Sequence, residues 1–324
     1  MTVPGYLAVD SGGSGLRVAV GVPGRAPAAQ RESREPVRTG ARGIEPAHLM
    51  AQLVPLARAS AAEAAVDGLD TAVVGAAGFA TLGDALRAEL PDALARELGV
   101  RRVALAADAV TAYVGALGPR PGAVLAAGTG LIAVGTDLNA WRRADGWGHL
   151  LGDCGSGAWI GRAGLEAALR AHDGRDGGSA PLLACAEEQF GPVRGLPGQL
   201  YARSDRPAVL ASFAPRVAAC APHDPVAADI LRAAARHMAE SVAAVCPADG
   251  TPQVALTGGL FRLDEPLLAS LREELARRLP HARQVPAEGD PLHGSVRIAG
   301  DLAAGRLTLP GEPTMFYVVP AEGG

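Results

Sequence analysis

One pattern occurs twice in this sequence of 324 residues: an apolar strand, a turn of small residues and a second apolar strand. The first copy covers residues 6–20 and the second covers residues 123–135. Apolar runs on both sides of a glycine turn predict β-hairpins. Because the length of the chain predicts two domains, a hairpin in each half favours a nucleotide gripped in the cleft between them. Two ordinary hairpins with glycine turns are the alternative.

The turns of the two hairpins are candidate phosphate-binding elements. Glycine lets backbone N–H groups approach an anion closely. The candidate residues are Gly12, Gly13, Ser14 and Gly15 in the first turn and Gly128, Thr129 and Gly130 in the second. Asp10 ends the first strand, where its carboxylate could hold a hydrated Mg²⁺.

The composition excludes several classes of site. All 30 basic residues are arginine. Without lysine, the chain cannot form a GxxxxGK[ST] loop, a Schiff base or the lysine-dependent site of a protein kinase. The formal net charge of −4, with scattered signs, gives no electrostatic footprint for nucleic acid or for an anionic membrane.

The cysteines and the apolar runs predict the cellular compartment. Cys154, Cys185, Cys220 and Cys246 are widely spaced and form no CxxC pair, which favours reduced thiols. The start of the sequence lacks the basic and apolar regions of a signal peptide, and no apolar run approaches the ~20 residues of a membrane span. We therefore expect a soluble, cytoplasmic protein with neither a nucleic-acid nor a membrane partner.

A second carboxylate stands at a strand-to-helix junction. Residues 102–106 predict a short strand, and Asp108 begins an Ala- and Val-rich helix that runs to about Leu117. Ligands of open α/β sheets are met at the carboxyl ends of strands, so Asp108 is a candidate site residue. Asp is also a preferred helix N-cap, and a capping role alone is the alternative.

A glycine-dense loop near the middle of the chain is a third candidate. It precedes a helix predicted from about Ser156 to Ala171, so that Asp153 lies near a helix N-terminus. Trp147 and Trp159 are two of the three tryptophans, and their concentration in an aromatic-poor chain favours a shaped site. A packed loop without a ligand is the alternative.

A paired glycine follows a late strand. Residues 253–257 predict the strand, and Gly258 and Gly259 come directly after it. Their bare backbone could admit a flat adenine or ribose ring, or it could form a plain strand-to-helix turn.

Taken in order, these stretches resemble motifs of the acetate and sugar kinase/Hsc70/actin superfamily. More narrowly, the chain is similar to the BadF/BadG/BcrA/BcrD ATPase family, in its N-acetylglucosamine kinase-like branch. The similar segments are 10–17 for a first phosphate motif, 126–130 for a second, 257–260 for an adenosine motif and 146–153 for a loop peculiar to N-acetylglucosamine kinase-like members. The resemblance extends from residue 6 to about residue 306.

The resemblance implies a fold and an activity. The implied fold has two RNase H-like α/β domains, as in actin-like ATPases, hinged around a cleft and closed by a C-terminal helix that packs on the first domain. The expected domains are residues 1–116 with 290–324, and residues 117–289. The implied activity is ATP-dependent phosphorylation of the 6-hydroxyl of an amino sugar, N-acetylglucosamine or glucosamine. A homodimer is expected.

The resemblance also implies roles for single residues. The aspartate aligned with Asp108 takes the proton of the sugar hydroxyl, and the one aligned with Asp153 grips sugar hydroxyls. Gly130, Trp147 and Gly148 complete the expected sugar site, while the glycine turns cradle the phosphates of ATP and Asp10 anchors Mg²⁺. These roles agree with phosphoryl transfer, which requires alignment and charge stabilisation more than covalent chemistry.

Three departures from the family pattern leave the acceptor open. Cys154 stands where the family loop has Glu. Leu131 or Ile132 replaces a polar residue after the second phosphate motif, and residues 39–42 lack the Asn that often contacts the sugar. None of these changes affects the expected binding of adenine nucleotide.

Two other functions stay open. The family also contains ATPases that activate a partner enzyme and ligate an iron–sulfur cluster through interface cysteines, but the cysteines here lack close pairing. A binding regulator without catalysis is the other possibility, and the altered sugar loop is its support. The presence of Asp10, Asp108 and Asp153 argues against it.

Overall fold

The chain forms two compact units. The computed structural model describes residues 4–12, 15–40, 43–263 and 265–319. One unit comprises residues 1–121, 136–141 and 286–324, and the other comprises residues 122–135 and 142–285. The predicted division assigns residues 117–121, 136–141 and 286–289 to the second domain, whereas they group with the first unit. Within the described ranges, no helix is both long enough and apolar enough to cross a membrane.

The first part of the chain supplies most strands of the first unit. Its strands are β1 Gly5–Gly12, β2 Gly15–Gly21, β3 Ala29–Ser33, β4 Thr39–Gly40, β5 Gly43–Ile44, β6 Leu69–Ala76 and β7 Arg102–Ala107. Its helices are α1 Pro46–Glu63, α2 Phe79–Leu82, α3 Asp84–Leu98 and α4 Asp108–Leu117. The strands β4 and β5 pair only with each other among the described residues.

The middle of the chain forms the second unit. Its strands are β8 Gly122–Ala127, β9 Leu131–Thr136, β10 Trp141–Asp145, β11 Gln253–Thr257 and β12 Arg283–Gln284. Its helices are α5 Gly157–His172, α6 Ala180–Phe190, α7 Leu196–Tyr201, α8 Arg206–Ala211, α9 Ala214–Cys220, α10 Pro225–Val245 and α11 Glu265–Arg278, with short 3₁₀ turns at Val193–Gly195 and Gly259–Arg262. The end of the chain returns to the first unit as α12 Pro291–Ala303 and β13 Phe316–Val318.

The two sheets have the same connectivity. Their strand orders are β13-β7-β6-β1-β2-β3 and β10-β9-β8-β11-β12. Apart from the added β13, each sheet places its first three strands in reverse order and continues with its fourth and fifth. In both, the first strand pairs in parallel with the fourth. This arrangement confirms the predicted α/β class with two RNase H-like units.

The helix α12 reaches the sheet of the first unit through two glycines. A Cβ on Gly294 would collide with the carbonyl oxygen of Thr111, and one on Gly115 would collide with that of Asp290. Only glycine therefore lets α4 and α12 cross in backbone contact. On the other side, the hydroxyl of Ser295 donates to the carbonyl of Val9, at 2.9 Å. These contacts place the first turn of α12 beside the end of β1.

The strand β13 is a finding of the structure. Phe316, Tyr317 and Val318 pair with β7 in antiparallel register. Phe316 is fully buried there. Because this pairing joins residues about two hundred positions apart, no local pattern could predict it.

Candidate functional site

Two predicted site residues share one edge of the first sheet. The parallel strands β1, β6 and β7 bring Asp10, Gly75 and Ala106 into one row. Neighbouring strands lie about 4.8 Å apart, so Asp10 and Ala106 are separated by about 10 Å. Asp108 follows Ala106 by two residues and therefore lies at the same carboxyl edge as Asp10.

Asp108 is the first residue of α4 and not its N-cap. The N-cap position belongs to Ala107, whose backbone is extended. The Oδ1 atom of Asp108 accepts a hydrogen bond from the N–H of Ala109 at 2.9 Å. The partly buried carboxylate is thus held at the helix N-terminus, where the helix dipole stabilises its negative charge.

Asp10 is engaged by an arginine on the adjacent strand. Arg17, its direct partner in β2, donates from Nε and Nη2 to Oδ2 of Asp10, at 3.0 and 2.6 Å. The third bond of Arg17 goes from Nη1 to Oδ2 of Asp290, at 2.5 Å. Burial raises the pKa of Asp10, the contact with Arg17 lowers it, Asp290 raises it again, and the pKa lies above its usual range.

Asp290 is a site residue that the sequence did not reveal. It is the N-cap of α12, and its Oδ1 accepts a hydrogen bond from the N–H of His293 at 2.9 Å. An Asp-Pro pair at the start of a helix predicts such a cap. The approach to Arg17, 273 residues away in sequence, depends on tertiary packing.

The first glycine turn is described only in part. Gly13 and Ser14 lie outside the described residues. No described atom lies within 4 Å of a Cβ built on Gly12, so its backbone faces open space. Gly15 has a φ of +133°, and a Cβ there would collide with the carbonyl oxygen of Ser33. Gly12 therefore leaves room for an anion, whereas Gly15 is required by the fold.

The second glycine turn is braced by the start of α5. The N–H of Gly157 donates to the carbonyl of Gly128 at 2.9 Å, and that of Ala158 donates to the carbonyl of Thr129 at 3.1 Å. Within the turn, the N–H of Gly128 donates to the carbonyl of Gly130. As at Gly12, no described atom lies within 4 Å of a Cβ built on Gly128.

The paired glycines after β11 adjoin this second turn. Thr257 pairs with Ala126 at the ends of β11 and β8. Gly258 has a φ of +108°, and a Cβ on it would collide with the carbonyl oxygen of Ala127. A Cβ on Gly259 would have no described atom within 4 Å. The structure thus brings together the predicted adenosine motif and the second phosphate motif.

Asp153 lies directly against the second glycine turn. A Cβ added to Gly130 would lie 2.8 Å from Oδ2 of Asp153. The Oδ1 atom of Asp153 accepts a hydrogen bond from the N–H of Gly148 at 3.1 Å. Burial and then the nearby charge of Asp145 raise the pKa of Asp153, against the Gly148 N–H and His149, which lower it. Gly130, Gly148 and Asp153 therefore form one cluster.

The loop that ends at Asp153 presents apolar side chains to solvent. Of the exposed large apolar side chains in the described part of the chain, three belong to this loop: Trp147, Leu150 and Leu151. The guanidinium of Arg143 lies 4.5 Å from the ring centre of Trp147 and donates to the carbonyls of Asp145 and Gly146. Trp147 is thus exposed and also held in place.

Trp159 lies outside this cluster. It is on α5, where its ring packs edge-on against that of His237 with centres 5.3 Å apart. The ring is also partly buried against the apolar core of the second unit. The structure therefore places only Trp147 of the two neighbouring tryptophans at the candidate sugar loop.

The metal-ligand content of the site is small. Among the residues that the structure describes, no group of three or more His, Cys, Asp and Glu side chains could hold a metal ion. Hydrated Mg²⁺ needs only one or two protein carboxylates when substrate phosphates supply other ligands. Arg17 and Asp290 line a cavity of about 650 Å³ in the first unit, so Asp290 is the carboxylate of the pair that this cavity reaches.

The chain is similar to proteins of one family. The sequence model of the BadF/BadG/BcrA/BcrD ATPase family matches residues 8–296. The N-acetylmuramic acid/N-acetylglucosamine kinase of Clostridium acetobutylicum is 30% identical over 214 residues, which are 63% of this chain and 69% of that protein.

Solved structures show the same architecture. A protein of Chromobacterium violaceum assigned as an N-acetylglucosamine kinase has a TM-score of 0.70 and 26% identity, over 93% of this chain and 99% of that chain. A ROK-family glucokinase of Streptomyces griseus, solved with glucose and AMPPNP, has a TM-score of 0.54 and 22% identity, over 93% of this chain and 99% of that chain. The second likeness concerns the fold alone.

Proposed function

Because this chain belongs to the BadF/BadG/BcrA/BcrD ATPase family, we propose that it is an ATP-dependent sugar kinase that phosphorylates the 6-hydroxyl of an amino sugar. N-acetylglucosamine and glucosamine are the proposed acceptors. The similarity to the N-acetylmuramic acid/N-acetylglucosamine kinase supports an acceptor of this class.

The contact between Gly130 and Asp153 carries the proposal. A kinase must hold the terminal phosphate of its nucleotide within bonding distance of the acceptor hydroxyl. The Asp153 carboxylate, which suits sugar hydroxyls, is packed against the second glycine turn, which suits phosphates. One cluster in the second unit can thus serve both the nucleotide and the acceptor.

The first unit supplies the proposed base. Asp108 accepts the proton of the 6-hydroxyl as that oxygen attacks phosphorus, which orients the nucleophile and prevents a positive charge from developing on it. Gly12 to Gly15 and Gly128 to Gly130 offer backbone N–H groups to the phosphates of ATP. Gly258 and Gly259 admit the adenosine, and Trp147 and Gly148 complete the sugar site.

The described side chains fit a hydrated Mg²⁺. Asp10 would hold it through Oδ1, because both hydrogen bonds from Arg17 go to Oδ2, and Asp290 lies on the far side of the same guanidinium. When bound, Mg²⁺ neutralises charge on the transferring phosphate. The chain itself contributes the Asp10 carboxylate and the arginine that fixes its orientation.

A screen of ADP release tests the proposal. The wild-type protein is assayed with ATP and each of N-acetylglucosamine, glucosamine, N-acetylmannosamine, N-acetylmuramic acid, glucose and no acceptor, and the product is characterised by ³¹P NMR. We expect release that depends on an amino sugar and a phosphate on O6. If ADP is released at the same rate with and without every sugar, the alternative function of an ATPase activator is supported, in particular if the purified protein binds iron.

The Asp108→Asn variant tests the proposed base. It should bind ATP as the wild type does and lose about 10²- to 10⁴-fold of sugar-dependent turnover, the usual contribution of general base catalysis. Asp84→Asn is a matched control, because Asp84 is the first residue of α3 as Asp108 is of α4. Unchanged turnover of Asp108→Asn would refute this role.

Sedimentation of the wild-type protein tests the proposed homodimer.

A further inference from the structure

Asp145 holds the backbone on both sides of the Asp153 Cα. Its Oδ1 atom accepts a hydrogen bond from the N–H of Asp153 at 2.6 Å, and its Oδ2 atom accepts one from the N–H of Cys154 at 2.8 Å. Bonds from N–H groups to a carboxylate are stronger than those between neutral groups. The two ends of the loop, 145 and 153–154, are therefore joined by a single side chain.

The backbone at this junction needs such support. Asp145 and Asp153 have φ values of +61° and +53°, in the left-handed region that non-glycine residues rarely adopt. Residues in such strained conformations persist only where the surrounding structure holds them. Removing the two hydrogen bonds would release Asp153 from this conformation, and its carboxylate would turn away from Gly130.

The side chain at position 154 cannot replace Asp145. Cys154 stands at the position where the resembled loop has Glu, and it brings no carboxylate. Only glycine fits at position 152 beside Asp145, because a Cβ on Gly152 would lie 2.5 Å from Oδ1 of Asp145 and 2.9 Å from Cβ of Trp147. The Asp145 carboxylate is thus enclosed by the loop that it closes.

We propose that Asp145 is the positioning residue of the acceptor site: by binding the N–H groups of Asp153 and Cys154, it aims the Asp153 carboxylate at the sugar hydroxyls. This inference rests on the proposed sugar kinase function for its kinetic consequence. Its structural part, the closure of the loop by Asp145, is independent of that function.

Three variants and a control test the proposal. Asp145→Asn keeps the volume and tolerates positive φ, but it loses the charge and one acceptor oxygen. Asp145→Gly relaxes the backbone and removes both acceptors, and Asp145→Ala removes them without relaxing it. Asp137→Asn is the matched control, because Asp137 also binds two N–H groups, those of Asn139 and Ala140, in the turn between β9 and β10.

The kinetic experiment measures the KM of the acceptor and the KM of ATP in each variant and compares how much each one changes. In each Asp145 variant, the acceptor KM should rise by about tenfold to hundredfold, as expected for a misplaced binding group. The KM of ATP should stay within about twofold of the wild-type value, and Asp137→Asn should match the wild type. Equal rises of both KM values, or an unchanged acceptor KM, would overturn the proposal.

The pH dependence of acceptor kcat/KM is a measurement that a merely structural role of Asp145 would not change. Burial and then the like charge of Asp145 raise the pKa of Asp153, whereas the Gly148 N–H and His149 lower it. In Asp145→Asn, the acidic limb of acceptor kcat/KM should therefore move to lower pH. A limb that stays in place would contradict the proposed contact.

Hydrogen exchange decides the structural part without any sugar. Peptides that cover residues 146–154 should exchange at least about tenfold faster in the three Asp145 variants than in the wild type or Asp137→Asn. Unchanged exchange would refute the closure of the loop by Asp145. If the wild type neither binds nor phosphorylates a sugar, the proposed function fails, and the exchange result still decides the role of Asp145.

Discussion

Arg17 donates two hydrogen bonds to a single carboxylate oxygen of Asp10, and the two residues are direct partners in adjacent strands. Asp10 is 9% exposed, so its negative charge has lost most of its water. The same guanidinium also binds Asp290 at the start of α12. One arginine thus neutralises two carboxylates from distant parts of the chain.

Arg17→Gln should destabilise the first unit by about 2–4 kcal/mol, because it leaves the buried Asp10 charge without its partner. The double variant Asp10→Asn/Arg17→Gln should be more stable than Arg17→Gln alone, since both charges are gone. Arg31→Gln breaks an exposed ion pair with Glu63 and should cost less than about 1 kcal/mol. Urea unfolding of the four proteins measures these differences, and equal costs for Arg17→Gln and Arg31→Gln would contradict the prediction.

Asp70 should make the stability depend on acidic pH. Burial alone would raise its pKa, but hydrogen bonds from Arg102 and Arg101 outweigh that effect and hold the pKa below its usual range. The lowered pKa contributes stability that is present above the unfolded-state value of about 3.9 and is lost as the pH falls through the folded-state value.

Asp70→Asn should therefore cost about 1–3 kcal/mol at pH 7 and progressively less below pH ~4. Thermal unfolding across this pH range measures the difference from the wild type. Asp301→Asn, which alters a weak and exposed pair with Arg306, should leave the pH dependence unchanged. A constant difference between Asp70→Asn and the wild type at every pH would refute the assignment.

Substitutions of Gly12 and Gly128 should weaken ATP binding while they leave the stability nearly unchanged. Gly12→Ala and Gly128→Ala place a methyl group in space without described atoms, so stability should change by less than about 1 kcal/mol. If phosphates occupy that space, the Kd of ATP should rise by at least about tenfold, which is 1.4 kcal/mol. Equilibrium binding of a fluorescent ATP analogue measures this affinity.

Two further glycines are the controls for that experiment. Gly198→Ala also adds a methyl in open space, on α7, and should leave the ATP affinity unchanged while changing the stability by no more than about 1 kcal/mol. Gly15→Ala should instead lower the stability, because its φ is +133° and its Cβ would meet the Ser33 carbonyl. Wild-type ATP affinity of both Gly12→Ala and Gly128→Ala would exclude these turns as the phosphate sites.

Trp147→Ala should weaken acceptor binding with little effect on folding. The side chain is 63% exposed, so its loss should change the stability by less than about 0.5 kcal/mol. The acceptor KM should rise by about tenfold, because the ring that Arg143 fixes would no longer cover the sugar. Tyr201→Ala, at a side chain that is 78% exposed, should leave the KM unchanged. Equal effects of the two variants would remove Trp147 from the sugar site.

Local sequence patterns predict the strands and helices of this fold well. They do not predict the contacts between elements that are far apart in sequence. The hairpin of β1 with β2 and the start of α4 at Asp108 follow from apolar runs, glycine turns and a strand-to-helix junction. The strand β13 and the approach of Asp290 to Arg17 join residues far apart in sequence. No period or propensity encodes such pairs, because tertiary packing selects them.

The candidate site shows the same division. The glycine turns and Asp153 stand out by their composition, and the structure places Gly130, Gly148 and Asp153 together. Asp145 directly precedes the glycine-rich segment 146–153, but its role depends on a left-handed backbone and on two hydrogen bonds across the loop. Residue types alone do not reveal which carboxylate of a loop faces the ligand and which one faces the backbone.

The late position of α12 and β13 also sets an order of folding during synthesis. All strands and helices of the sheet core in the second unit lie between residues 122 and 285 and can assemble once that stretch has left the ribosome. The first unit emerges earlier, yet its buried helix α4 is covered by α12, and the edge of β7 is paired by β13. A nascent chain must therefore carry an uncovered apolar helix and an open strand edge until residues 291–318 emerge, which makes the unfinished first unit the expected target of chaperones.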